Sequence, residues 1–156
     1  QMVLSKFPII KKRNLVLPKG REPRASIAID VEVGGEKLVF VGNHFYATEA
    51  EGCAQAEKLT EYLEPELKAE TRIILAGDFN SEPKSKPMEI LAKHGPDPTA
   101  DKNDNTWPSD EPRVEIDHIL FFPAPRFKFV KSEVIEEQIA SDHRPVLTVV
   151  ELLADP

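Results

Sequence analysis

The chain predicts a mixed α/β domain, on three observations. Residues 72–78, Arg72-Ile73-Ile74-Leu75-Ala76-Gly77-Asp78, form an apolar run dense enough for a strand buried on both faces. Residues 49–68 carry Ala54, Ala56, Leu59, Leu63 and Leu67 at roughly helical spacing, with Glu49 and Glu51 in the first turn. Residues 24–33 alternate, with Ala25, Ile27, Ile29, Val31 and Val33 set against Ser26, Ala28, Asp30 and Glu32. That is the pattern of a strand with one buried face.

The remaining elements follow in order. Met2, Val3 and Leu4 read as a short strand, which Pro8 prevents from continuing as a central one. The basic, proline-containing segment 11–24 reads as a surface connection. Within it Lys11-Lys12-Arg13 could hold a phosphate, but a charge run is more often a solvated face. Gly34-Gly35 signals a hairpin, with residues 38–41 as the return strand. That strand ends in a polar cluster, Gly42-Asn43-His44-Phe45-Tyr46. Pro65 should kink or shorten the end of the long helix.

The core strand breaks at Gly77, and Asp78 and Asn80 then occupy alternate positions. In extended geometry they emerge on the same side, beside a loop opened by Ser81 and Pro83. An Asx-type turn would use the same residue types. A second, shorter helix is expected over residues 86–93, closed by Gly95-Pro96. Residues 95–113 form a long polar loop, a class that is usually functional or disordered, with Trp107 expected to anchor it on the core. Residues 114–122 read as a strand with Asp117 and His118 in its middle. Adjacent strand side chains face opposite ways, so Asp117 is expected to point into a cleft and His118 away from it. A turn at Pro123-Ala124-Pro125 leads to a strand over 127–135. Ser141-Asp142-His143-Arg144-Pro145 then precedes the last strand, 146–153.

Composition narrows the function. The length of 156 residues suits one domain with a real core, and 40% hydrophobic with 30% charged residues is ordinary for a soluble globular protein. No apolar run approaches a membrane span, and no signal peptide is visible; the compartment stays open. The single Cys53 excludes an internal disulfide and a cysteine-rich metal site. The net charge of -7 disfavours non-specific nucleic-acid binding.

Polar residues gather at strand ends: His44, Asp78 with Asn80, Asp117, and Asp142 with His143. Acid-rich sites with His and no Cys suit Mg²⁺ or Mn²⁺. A histidine titrates near neutral pH and a carboxylate can orient it, which fits phosphate-ester hydrolysis with a cation offsetting phosphate charge. A bland reading exists for each residue taken singly, as a turn residue bonded to its own backbone.

Several motifs in one order carry a resemblance: Ser5-Lys6-Phe7-Pro8-Ile9, Asn43-His44-Phe45, Gly77-Asp78-Phe79-Asn80, Asn105-Thr106-Trp107-Pro108-Ser109, Glu115-Ile116-Asp117-His118-Ile119 and Ser141-Asp142-His143-Arg144-Pro145-Val146. On these the chain resembles the C-terminal part of the endonuclease/exonuclease/phosphatase superfamily, in its bacterial type. The resemblance implies an α/β sandwich of two packed, mainly antiparallel β-sheets flanked by helices, forming a single domain over 1–156. It implies a Mg²⁺- or Mn²⁺-dependent phosphoesterase acting on a phosphodiester or phosphomonoester. His143 then matches the general base, Asp117 the carboxylate that orients it, and His44 the histidine on the scissile phosphate. Asp142 matches a metal ligand; Asp78 and Asn80 match residues that position the nucleophile, the phosphate or a second metal. The substrate class stays open among nucleic acids, lipid head groups and inositol phosphates.

The motifs begin midway through the family's domain. An upstream asparagine and a metal-binding glutamate are therefore expected to lie outside this chain, as would strands of one sheet. On that expectation the chain is a fragment, inactive or nearly so by itself, with exposed apolar faces through which it could self-associate. A rival reading is a non-catalytic binding module that keeps the fold. The loop 95–113 is expected to form a substrate rim, with Trp107 or Arg113 near the site.

Overall fold

The strand order places the polar clusters before any site is considered. In the computed structural model, which describes residues 1–98 and 104–154, the order is β1 (Ile9–Val16), β2 (Ala25–Val33), β3 (Glu36–His44), α1 (Glu49–Lys68), β4 (Arg72–Asp78), α2 (Lys86–Ala92), β5 (Asp117–Phe122), β6 (Phe127–Val134) and β7 (Val146–Leu152). One sheet runs β1-β2-β3-β4-β5 and a second pairs β6 with β7. All neighbours are antiparallel except β3 and β4, which α1 connects as a crossover.

One face of the large sheet is fully covered and the other only in part, since Ile27, Phe40, Ile74 and Ile119 stay partly exposed there. On one, Ala28, Val39, Val41, Ile73, Leu75 and Leu120 pack with Leu59 and Leu63 of α1 and Met88 and Leu91 of α2. On the other, Ile29, Val31, Leu38 and Phe121 cluster with Phe127, Val150 and Leu152 of the second sheet. The result is an α/β sandwich of two sheets with helices outside. The helix forms where its apolar stripe meets the sheet, and Thr48 caps it, accepting a bond from the Glu51 backbone N–H. Thr48→Ala should cost about 1 kcal/mol; a urea midpoint unchanged from the parent would show the cap to be idle.

Several expectations change. Residues 2–4 form no strand; Val3 instead packs beside Phe7 on the second core. The segment expected as a connection supplies β1, which starts directly after Pro8, where a missing N–H is tolerated. Arg13 is not a solvated cation: it meets Asp30 at 3.0 Å and Glu66 at 2.6 Å. β2 is buried on both faces, because Ser26, Ala28 and Asp30 turn toward α1 and the ion pairs while Ile29 and Val31 turn toward the second sheet. Pro65 sits in the last turn of α1 without shortening it, since only one intrahelical bond is forfeited there. Trp107 is 41% exposed and is not part of the core, whereas its neighbours Thr106 and Ser109 are buried. Residues 99–103 of that loop lie outside the described residues.

Candidate active site

Register assembles the site. β3 and β4 run parallel with His44 opposite Asp78, and β4 and β5 run antiparallel with Asp78 opposite Asp117. Residues opposite one another on neighbouring strands share a face of the sheet. His44, Asp78 and Asp117 therefore stand in a row at the strand ends. Close approach makes the row possible: Gly77 has φ +146°, and a Cβ there would lie 2.1 Å from the Asn43 carbonyl oxygen.

Asp117 is the hub of one half. Its Oδ2 accepts from Nδ1 of His143 at 2.8 Å and from the Thr106 hydroxyl at 2.6 Å. The loop carrying His143 is tied to the Thr106 loop by Arg144 N to Thr106 O at 2.8 Å and Ser109 N to Asp142 O at 2.8 Å. Burial, the largest single influence, disfavours the His143 imidazolium, but the hydrogen bond and charge of Asp117, helped by Asp78 and Asp142, hold its pKa above the ordinary 6.5. With Nδ1 bonded to Asp117, Nε2 is the atom left to exchange a proton.

Asp78 is the hub of the other half. Its Oδ1 accepts the Asn80 backbone N–H at 2.7 Å, and the Asn80 side-chain amide donates to Phe45 O at 3.0 Å and to Asp78 Oδ2 at 3.2 Å. That leaves the amide oxygen of Asn80 as an acceptor. His44 Nε2 lies 3.4 Å from Asp78 Oδ2, and Arg24 Nη1 lies 3.1 Å and 3.0 Å from the two His44 nitrogens. Burial foremost, with the Arg24 charge, keeps His44 below its usual pKa against the pull of Asp78. Burial and then the charge of Asp117 push the Asp78 carboxyl up, against the Asn80 N–H bond. A cation in the cleft would relieve that repulsion.

His44, Asp78, Asn80, Asp117, Asp142 and His143 all line one open cleft, with Glu22, Arg24, Tyr46 and Ser141. Asp117 faces the cleft, and His118 is fully buried on the opposite side. Arg113 is instead exposed and paired with Glu111. Sequence reasoning missed Arg24, which stacks over Tyr46 at 5.8 Å from its ring centroid and pairs with Glu22 at 3.2 Å. Its one signal was a cation directly before an alternating strand. Thr106 was quoted in a motif without a role; its buried position beside a carboxylate required the fold.

A second ionisable cluster lies behind the cleft. Asp97, Glu115 and His118 each bring a potential ligand atom within 4.8 Å of the others, a group that could hold a metal ion. In this arrangement His118 uses both ring nitrogens, on Asp97 Oδ2 at 2.8 Å and on Ser81 O at 2.8 Å. A cation there would have to displace the first of these bonds.

The sequence model of the Endonuclease/Exonuclease/phosphatase family matches residues 1–143. No curated protein sequence matches the chain. Among solved structures, a conserved protein of unknown function from Enterococcus faecalis is similar at TM-score 0.82 and 18% identity, over 95% of this chain and 68% of that one. A mannosyl-6-phosphatase from Bacteroides thetaiotaomicron is similar at TM-score 0.78 and 18% identity, over 94% and 68%. The human Nocturnin catalytic domain with bound sulfate is similar at TM-score 0.75 and 19% identity, over 94% and 60%. At these identities the likeness is one of fold.

Proposed function

Since this chain belongs to the Endonuclease/Exonuclease/phosphatase family, we propose that it forms the site of a metal-dependent phosphoric ester hydrolase. The observation that carries the reading is the 2.8 Å bond between His143 and Asp117, opening on a cleft shared with Asp78, Asn80, His44 and Asp142. His143 takes the proton of the attacking water at Nε2, and Asp117 fixes the ring's tautomer and orientation. Arg24 and His44 contact phosphoryl oxygens, Arg24 as a fixed cation and His44 as a neutral ring. Asn80 orients the nucleophile or the phosphate through its amide oxygen.

The donor set fits a hard divalent cation. Carboxylates of Asp78 and Asp142 and the amide oxygen of Asn80 face one cleft, without a cysteine. These three residues would hold Mg²⁺ or Mn²⁺, which when bound offsets the negative charge of the phosphoryl group. Phosphate esters are the substrate class; the net charge of -7 speaks against a non-specific nuclease.

Mn²⁺ titration by calorimetry tests the reading, beside hydrolysis assays on phosphomonoesters and phosphodiesters. Asp142→Ala should weaken Mn²⁺ binding more than the about 10- to 100-fold typical of losing a ligand's own supporting partner. Equal Mn²⁺ affinity in parent and variant would remove Asp142 from the metal site. Metal binding without hydrolysis of any ester in either class, by the chain extended upstream, would favour a binding module.

A further inference from the structure

We propose that His118 is a positioning residue, whose Nε2 bond to the Ser81 carbonyl holds the turn that presents Asp78 and Asn80 to the cleft. The catalytic half of this inference rests on the phosphoesterase reading; the structural half does not.

His118 is fully buried on β5, opposite Gly77 in register. A polar ring inside an apolar strand is costly unless both nitrogens are bonded. Ser81 O can only accept, so Nε2 donates to it at 2.8 Å. Nδ1 faces Asp97 Oδ2 at 2.8 Å, with Glu115 Oε1 at 3.7 Å. Neither bond lies within the sheet: one reaches the turn after β4, the other the segment after α2.

The turn needs such support. Asn80 has φ +47°, a left-handed conformation uncommon outside glycine. It is held from the cleft side by the Asp78 carboxylate and the Phe45 carbonyl. From beneath, His118 touches it on both flanks. Its ring meets Phe79 edge-on with centroids 5.7 Å apart, and its Nε2 meets Ser81. Phe79 in turn packs on Phe45 at 5.3 Å, the neighbour of His44. One buried ring thus backs the segment that carries Asp78 and Asn80.

Two isosteres separate positioning from mere packing. An Asn amide reaches about as far as Nδ1, so His118→Asn keeps the Asp97 bond and loses Ser81. A Gln amide reaches about as far as Nε2, so His118→Gln keeps Ser81 and loses Asp97. Hydrogen exchange of the Asn80 backbone N–H should quicken about tenfold in His118→Asn, as expected for loss of one bond to a buried carbonyl. It should return toward the parental rate in His118→Gln, with the β1 and β2 amides steady in both. Metal-dependent kcat should fall about 10- to 100-fold in His118→Asn with little change in KM, and recover in His118→Gln. Equal losses in both variants, or faster exchange throughout the sheet, would reduce His118 to a core residue and overturn the proposal. So would unchanged Asn80 exchange in His118→Asn. Absence of hydrolytic activity in the chain extended upstream would count against the phosphoesterase reading, and the exchange comparison would still decide the role of His118.

Discussion

His143→Ala should lower kcat for metal-dependent ester hydrolysis by about 10²- to 10⁴-fold, the usual worth of a well-placed general base. The geometry supports so large an effect. The ring is fixed at Nδ1 by a carboxylate that is itself held by Thr106, so Nε2 is presented in one orientation. Asp117→Asn should lose a comparable share, because an amide can donate to Nδ1 and stabilise the wrong tautomer. A direct check is available in the metal-free chain by NMR titration. His143 should titrate above 6.5, since Asp117 outweighs the burial that opposes its charge. In Asp117→Asn the midpoint should fall. The sign for stability follows: a histidine whose pKa is raised on folding stabilises the fold below its unfolded pKa, and that contribution disappears as pH rises through the folded value. Turnover of His143→Ala equal to the parent's would remove this residue from the mechanism.

Gly77→Ala should destabilise the fold by roughly 2–6 kcal/mol. A residue with φ +146° there carries backbone strain of about 1–3 kcal/mol for any side chain. Overpacking adds about 1–3 kcal/mol, because the new Cβ would lie 2.1 Å from the Asn43 carbonyl oxygen, which is backbone and cannot rotate away. That is a large share of the stability of a typical domain. Relief by separating β3 from β4 would also part His44 from Asp78, which face each other across the same pair. Urea unfolding of parent and variant at constant m-value measures the first effect. A midpoint within error of the parent would mean that the two strands need not approach so closely.

Much of this was legible in the residues alone. The apolar run 72–78 and the stripe of α1 specify their elements through burial, which local periodicity reports directly. Asp117 and His118 could be assigned to opposite faces because a strand alternates whatever surrounds it. The motif residues His44, Asp78, Asn80, Asp117, Asp142 and His143 stand out by type and order in the sequence, and the fold brings them to one cleft. Tertiary structure decided the rest. β1 carries too many charges to read as a strand; it exists because β2 offers it an edge and because Asp30 and Glu66 neutralise Arg13. The two-sided burial of β2 depends on what packs against its small residues, which periodicity cannot show. Arg24 reaches His44 through a register set by the β2–β3 hairpin, and Thr106 reaches Asp117 across a loop. Local sequence reports which face a residue occupies; only long-range pairing decides what it meets there.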